Sequence, residues 1–572
     1  MPIDIIDQVG RDTPFGFTVS GDMNQSGATA GVGFAPSVLG DFNGDGVDDF
    51  VVSAPGLDPV GRTDAGGAFV IYGGTDLADA VQDDTFDLGR NVQGTFGELS
   101  GNGFYVAGAL ANDQLTGTAA GDVDGDGYAD LLLAAPSFVE VDDPTSQFPA
   151  FDHRPGTGYI LYGRDTAEIT GLTEPFSNRL DLADLGADDG LTVVQGEPDF
   201  VRLGMGLQGG GDVNGDGFAD LMFGTLQAEG AFYNPDGSEV QFPDIPDIPG
   251  VDVPDLGLAF NGRVYVVFGD SQRPATVRLT EDIVEGDGSD GFFLKGFIEY
   301  SEPFDFTGGS EPLPDFIGGP IGAFDALAFA DLDGDGRDSV AIGIPFGGEA
   351  VNFADSNDAN DYLSGGVFVL RPEPGAPTAA EYDLRDALFL RGERDGMGSF
   401  AGFGVANLGD VDGDDREDIG VLAPLLDAGL DSNAGGFYGL TNLLDSVPGG
   451  PDGQRLNLTD EAGFRILGNG AGDGADPALD LDADAETAEG TLLASGIAGL
   501  GDVTGDGFGD FAVGFGPADN GRGNVFVLEG RPDPDSDDAD SDDRIAFDRI
   551  TRFDDADDTA GARNGMLRLV GA

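Results

Sequence analysis

Residues 121–136 read GDVDGDGYADLLLAAP, and their carboxylates are spaced to meet at one point. Asp122, Asp124 and Asp126 alternate with Gly125 and Gly127, whose freedom at positive φ lets the backbone turn tightly. Asp130 closes the ring four residues later, and Leu131, Leu132 and Leu133 follow as a short apolar strand ending before Pro136. Oxygens at loop positions 1, 3, 5, 7 (a backbone carbonyl) and 9 follow the spacing of a calcium loop, with a strand in place of the second helix. An oxygen-only, flexible ring suits Ca²⁺, whereas Mg²⁺ demands a tighter octahedron and keeps its waters.

A single acidic turn would be ordinary surface, but this pattern occurs six times at intervals of 79 to 119 residues, each copy feeding an apolar run. The first set of candidate ligands is Asp41, Asn43, Asp45, Val47 and Asp49, and the second is Asp122, Asp124, Asp126, Tyr128 and Asp130. The third is Asp212, Asn214, Asp216, Phe218 and Asp220; the fourth is Asp331, Asp333, Asp335 and Arg337, with Ser339 at position nine. The fifth is Asp410, Asp412, Asp414, Arg416 and Asp418, and the sixth is Asp502, Thr504, Asp506, Phe508 and Asp510. Val47, Tyr128, Phe218, Arg337, Arg416 and Phe508 would each contribute a backbone carbonyl.

Three loops depart from the pattern. Ser339 removes the closing carboxylate of the fourth, Asp415 stands where the fifth should have its second glycine, and Thr504 is a neutral ligand in the sixth. The first three loops are therefore expected to bind best and the fourth worst. Short extracellular loops of this kind have dissociation constants on the order of 0.1–1 mM, so these sites would fill outside cells and stay largely empty in cytosol. The expected role is structural: each ion offsets repulsion among carboxylates in one hairpin.

The segments GDVDGDGYADLLLAAP, GDVNGDGFADLMFG and GDVTGDGFGDFAVGFG, with lead-ins such as FAGFGVANLGD (400–410), resemble the FG-GAP repeats of integrin α-subunit heads and of many bacterial surface proteins. The resemblance runs from about residue 15 to the C-terminus. It implies an all-β propeller with calcium in the blade hairpins, and it names no ligand.

The elements that must position the loops can be read independently. A third-strand type recurs as GGAFVIYGG (66–74), GTGYILYG (156–163), GRVYVVFG (262–269), GGVFVLR (365–371), GGFYGL (435–440) and RGNVFVLEG (522–530). A fourth recurs as GFYVAG (103–108), LTVVQG (191–196), FFLKG (292–296), LFLRG (388–392), FRILG (464–468) and MLRLVG (566–571). Each unit is thus four short antiparallel strands with a cation loop between the first and second, which is one propeller blade. One blade cannot bury both its faces, so the units must stack around an axis as a single domain over 1–572. Six blades are expected; a degenerate seventh built from both chain ends is the alternative, because integrin-like heads have seven. FTVSG (17–21) is a surplus outer strand that could complete the last blade, while residues 1–14 read as a polar lead-in. At roughly 95 residues per unit there are insertions. They are QFPDIPDIPGVDVPD (241–255), SEPFDFTGGSEPLPDF (301–316), and the acidic stretches 471–490 and 531–544. Such loops are solvated connections or a partner-binding rim.

Composition narrows the function. The formal net charge is −80, from 106 acidic against 26 basic residues, and Lys295 is the one lysine. Such a surface repels nucleic acid and anionic membranes. Six divalent ions would cancel only about 12 of the 80 excess charges. The remainder suggests a chain that works in salt, from a marine or halophilic prokaryote. No stretch reaches the 18 apolar residues of a membrane helix. Cysteine is absent, and Met1-Pro2-Ile3-Asp4 opens no signal peptide. His153 is the one histidine, so neither Cys–His nor Ser–His chemistry has spare parts, and there is no tryptophan for a sugar platform. The expectation is a non-enzymatic, calcium-stabilised extracellular binding or adhesion module that recognises a protein or glycan. The alternatives are a polysaccharide hydrolase or lyase on a propeller scaffold, and a structural part of a surface assembly.

Overall fold

The computed structural model describes residues 34–74, 101–136, 156–172, 178–196, 202–225, 262–300, 326–345, 381–393, 399–426, 435–444, 454–467 and 494–502. It also describes the shorter pieces 3–4, 18–20, 85–88, 99, 140–141, 150–151, 231–233, 316–319, 321, 347, 364–372, 507–515, 524–528, 530, 550–552 and 566–570. The insertions at 241–255, 471–490 and 531–544, nearly all of 301–316, His153, Thr504 and Asp506 lie outside the described residues.

Six blades surround an axis. Blade 1 consists of Phe34–Gly40, Asp49–Ala54, Gly67–Ile71 and Gly103–Ala107, an antiparallel meander. Blade 2 repeats it with Thr116–Gly121, Asp130–Ala135, Thr157–Leu161 and Leu191–Gln195. Blade 3 uses Gly206–Gly211, Asp220–Thr225, Arg263–Val267 and Gly291–Lys295. Blade 4 uses Leu327–Ala330, Ser339–Gly343, Gly366–Leu370 and Leu388–Arg391. Gly404–Gly409, Asp418–Ala423, Gly436–Leu440 and Phe464–Leu467 make blade 5. Ala494–Gly501, Asp510–Phe515, Asn524–Leu528 and Met566–Val570 make blade 6. Six blades is the expected number, and every expected third and fourth strand is present.

Each blade is stitched to its successor by a fifth, parallel strand that the sequence reading did not anticipate. Arg179–Asp181, from the connection between the third and fourth strands of blade 2, pairs with the edge of blade 1. Thr276–Arg278, Glu381–Tyr382, Arg455–Asn457 and Ile550–Arg552 do the same for blades 2 to 5. On blade 6 that place is taken by Ile3–Asp4, which pairs with Met566–Val570. This corrects two expectations. The extreme N-terminus, read as a polar lead-in, completes the last blade, and Thr18–Ser20 of FTVSG pairs instead with Thr85–Asp87. A parallel outer strand satisfies edge N–H and C=O groups that would otherwise invite pairing with another chain.

The strands are apolar on both faces because blades pack on both sides. Val51, Val70 and Val106 of blade 1 meet Leu131, Leu133 and Leu161 of blade 2. Leu132 and Ile160 then meet Leu221, Phe223 and Tyr265 of blade 3. Equivalent layers join blades 3 and 4, 4 and 5, and 5 and 6. Each fully buried Leu, Val or Phe side chain is worth about 1.5–3 kcal/mol. These layers therefore fix where the hairpin tips, and hence the acidic loops, must sit.

Candidate metal centres

A bulge delivers the chain into the loop. In blades 1, 2, 3, 5 and 6 the register of the first strand slips just before the first aspartate. Blade 4 shows no such slip, and Ala330 stands where Gly40, Gly121, Gly409 and Gly501 take positive φ. The slip re-aims the first aspartate into the turn.

Inside the loop the carboxylates organise the backbone. Asp122 Oδ1 accepts the N–H groups of Gly125 (2.8 Å) and Asp126 (3.1 Å), and its Oδ2 accepts that of Gly127 (3.0 Å). Asp41, Asp212, Asp331 and Asp410 repeat the last two of these bonds, and Asp502 accepts Gly507 N–H at 2.8 Å. The fifth-position carboxylate accepts the N–H of residue seven: Asp45 from Val47, Asp126 from Tyr128, Asp216 from Phe218, Asp335 from Arg337 and Asp414 from Arg416. Asn43 and Asn214 accept from Asp45 and Asp216 at 2.9 Å. Asp415 takes the glycine place with φ +65°, keeping its N–H on Asp410 at 2.9 Å. The strain expected there is present.

The ninth residue is a buried clamp. Asp49, Asp130, Asp220, Asp418 and Asp510 are all at most 1% exposed. Asp130 Oδ2 accepts Val123 N–H and its Oδ1 accepts Gly163 N–H, both at 2.8 Å, tying the loop to the third strand. Asp49 with Gly73, Asp220 with Gly269 and Asp510 with Gly530 repeat the second bond. Burial pushes the carboxyl of Asp49 up to about 6, those of Asp130 and Asp220 to about 8, and that of Asp418 to about 9. Carboxylate oxygens have further lone pairs, so these groups can still ligate.

Ligand oxygens of Asp122, Asp124 and Asp130 lie within 4.8 Å of one another, as do those of Asp331, Asp333 and Asp335, and those of Asp410, Asp412 and Asp418. In the fifth loop the buried Asp418 Oδ1 and Asp412 Oδ1 have no hydrogen-bond donor. A buried anionic oxygen without a donor is costly. A hard cation at the convergence of these residues would satisfy both, so the donor set fits such an ion. Of the sixth set, Asp502, Phe508 and Asp510 are described.

The loops are joined into a belt. Ala129 N–H donates to the Asp41 carbonyl (3.0 Å), Ala219 to Asp122 (3.0 Å), Asp338 to Asp212 (3.0 Å), Glu417 to Asp331 (3.1 Å) and Gly509 to Asp410 (2.7 Å). Residue seven, proposed from sequence for its carbonyl, also lays its side chain on the preceding loop. A Cβ on Gly44 would lie 2.4 Å from Tyr128, one on Gly125 2.6 Å from Phe218, and one on Gly413 2.4 Å from Phe508. Arg337 and Arg416 sit likewise beside Gly215 and Gly334. The first ligands of the first five loops are thus held by their own blade and by the next.

Sequence reasoning missed side chains that reach the acids from elsewhere. Arg273, in blade 3, pairs with Asp124 and Asp126 of blade 2. Arg371 pairs with Asp333 and Asp335, and Asn442 donates to Asp412 at 2.7 Å. Burial raises the Asp124 carboxyl against the opposing pull of Arg273. At Asp335 burial is outweighed by hydrogen bonds from Arg337 and Arg371, and the group is held below the usual carboxylate range. The available signal was a break in the glycine that closes the third strand: Gly73, Gly163, Gly269 and Gly530 give way to Pro372, next to Arg371, and to Asn442.

The FG-GAP repeat family matches residues 32–71 and 115–160, which contain the first two loops and their flanking strands. Integrin alpha-PS2 of Drosophila melanogaster is 27% identical over 211 residues, covering 36% of this chain. The chain spans 11% of that relative's length. The protein carries FG-GAP repeats on a six-bladed propeller. Among the described residues, no helix is long and apolar enough to cross a membrane.

Proposed function

We propose that this FG-GAP-repeat propeller is a non-enzymatic, calcium-stabilised extracellular module for binding or adhesion, recognising a protein or glycan through its exposed loops. The observation that carries the calcium part is the fifth loop, where buried oxygens of Asp412 and Asp418 converge with Asp410 and lack donors. The repeat of the same fold in the other blades supports six sites: Asp41 to Asp49, Asp122 to Asp130, Asp212 to Asp220, Asp331 to Arg337, Asp410 to Asp418 and Asp502 to Asp510. Millimolar affinity suits an extracellular setting, and the −80 charge suits a saline one.

The binding part rests on the likeness to an integrin α-subunit and on a propeller's habit of presenting variable loops on a rigid ring. The test is a glycan array and a surface-protein pull-down, each in calcium and in EDTA. Calcium-dependent, saturable capture of one ligand class supports the module. Release of reducing ends or unsaturated sugars from polysaccharides would instead favour the enzyme, and calcium-driven self-assembly would favour a surface-layer component.

A further inference from the structure

The segments following the third strands lie beside the loops and treat them differently. Arg164 of blade 2 is turned away, its guanidinium donating to the carbonyl oxygens of Tyr162, Asp189 and Gly190. Arg273 of blade 3 reaches back to blade 2, with Nε on Asp124 and Nη2 on Asp126, and its guanidinium lies 4.8 Å from the centre of the Tyr162 ring. Arg371 of blade 4 enters its own loop, pairing with Asp333 and with Asp335 (3.2 Å), and Arg337 adds a contact to Asp335 at 2.5 Å. In blade 5 the neutral Asn442 donates to Asp412.

Blade 4 has changed in concert. Ser339 replaces its closing carboxylate, Pro372 replaces the glycine after its third strand, Arg371 stands where Tyr72, Tyr162 and Phe268 stand in blades 1 to 3, and the bulge before its loop is gone. The fourth loop therefore holds three carboxylates against two guanidinium groups, and the second holds four against one.

We propose that Arg273 and Arg371 are tethered counter-cations that compete with a divalent ion for the second and fourth loops, dividing the ring into open and self-neutralised sites. This rests on the reading that the loops bind calcium. The guanidinium groups lie against the oxygens an ion would use, and a divalent ion and a guanidinium cannot share that place at contact distance. Ion entry must expel the arginine. Both arginines are about 40% exposed, which limits the penalty to about fivefold in affinity, or about 1 kcal/mol. The fourth loop keeps Arg337 and lacks a closing carboxylate, so it stays the weakest. In return, both hairpins remain neutralised when calcium is scarce. The second loop, ranked by its ligands among the best, moves down the order.

The test compares the full chain with Arg273→Gln, Arg371→Gln and the double variant, using calcium calorimetry and melts in EDTA and in about 10 mM calcium. Each variant should lower Tm in EDTA, lose that deficit in calcium, and raise the affinity of one site about fivefold. An arginine that merely packs would lower Tm equally in both media and leave the isotherm unchanged, which overturns the proposal. Arg273→Lys, which keeps charge without the planar fork, should fall between, and Arg371→Gln tests the same claim if Arg273→Gln does not fold. A wild type and variants that all fail to bind calcium refute the calcium reading itself, and the competition with it.

Discussion

Stripping metal should make the fold more stable in mild acid than at neutral pH. Burial holds the carboxyls of Asp130 and Asp220 at about 8 and that of Asp418 at about 9. In the unfolded chain an aspartate ionises at about 3.9. Between these values the native state keeps protons that the unfolded chain has released. The stabilisation is therefore fully present below the unfolded value and is lost as pH rises through the folded one. Each such group contributes about 1.4 kcal/mol per pH unit, so the three together give about 4 kcal/mol per unit between about pH 5 and 7. For 572 residues the unfolding entropy is about 1.2 kcal/mol/K. Tm in EDTA should then fall by about 3 °C per pH unit. Saturating calcium should abolish the slope, because ligated carboxylates stay ionised in the native state and binding itself releases protons. The assay is scanning calorimetry from pH 5 to 8 in molar salt, which screens the global charge. A flat or rising Tm in EDTA, or the same slope with calcium, would refute the reasoning.

Three further outcomes are expected. Gly163→Ala places a Cβ 2.3 Å from the Ala129 carbonyl and should cost about 2 kcal/mol or more. Gly127→Ala meets open space at φ +91° and should cost about 1 kcal/mol, so the reverse order of denaturation midpoints would contradict the clamp. Asp415→Gly removes the strain at φ +65° and a non-ligating charge, and should raise Tm by the equivalent of up to about 1 kcal/mol; a loss would give the Asp415 carboxylate a role of its own. With calcium saturating, Tm should climb from low to molar salt as screening relieves the −80 charge, and an unchanged Tm would remove the argument for a saline habitat.

The parts of the fold set by local pattern were legible. LLLAA after Asp130 reads as a strand buried on both faces, and its recurrence after each loop counts the blades. The outer strands were not, since two or three residues carry no periodicity. The trace of four of them is a buried leucine just beyond the strand, Leu182, Leu279, Leu384 and Leu458, with Leu88 following Thr85–Asp87 in the same way. The loops' ligand order was legible because it is local, and the glycine at position six announces its φ. The contact of Arg273 with Asp126 spans 147 residues and exists only once blades 2 and 3 are adjacent. The double duty of Asp130, binding Val123 and Gly163 while facing Asp122 and Asp124, likewise needs the third strand in place.

The central claim is that ions in the loops hold the blade hairpins together. Its most direct test is calorimetric titration of EDTA-stripped protein with calcium, with melts on the same samples. Several ions should bind with dissociation constants on the order of 0.1–1 mM. Each would add about 1.4 to 2.7 kcal/mol at ten- to hundredfold excess over its dissociation constant, and Tm would rise steeply. No heat of binding and an unchanged melt would make the six loops acidic turns held by their own hydrogen bonds, and would contradict the account.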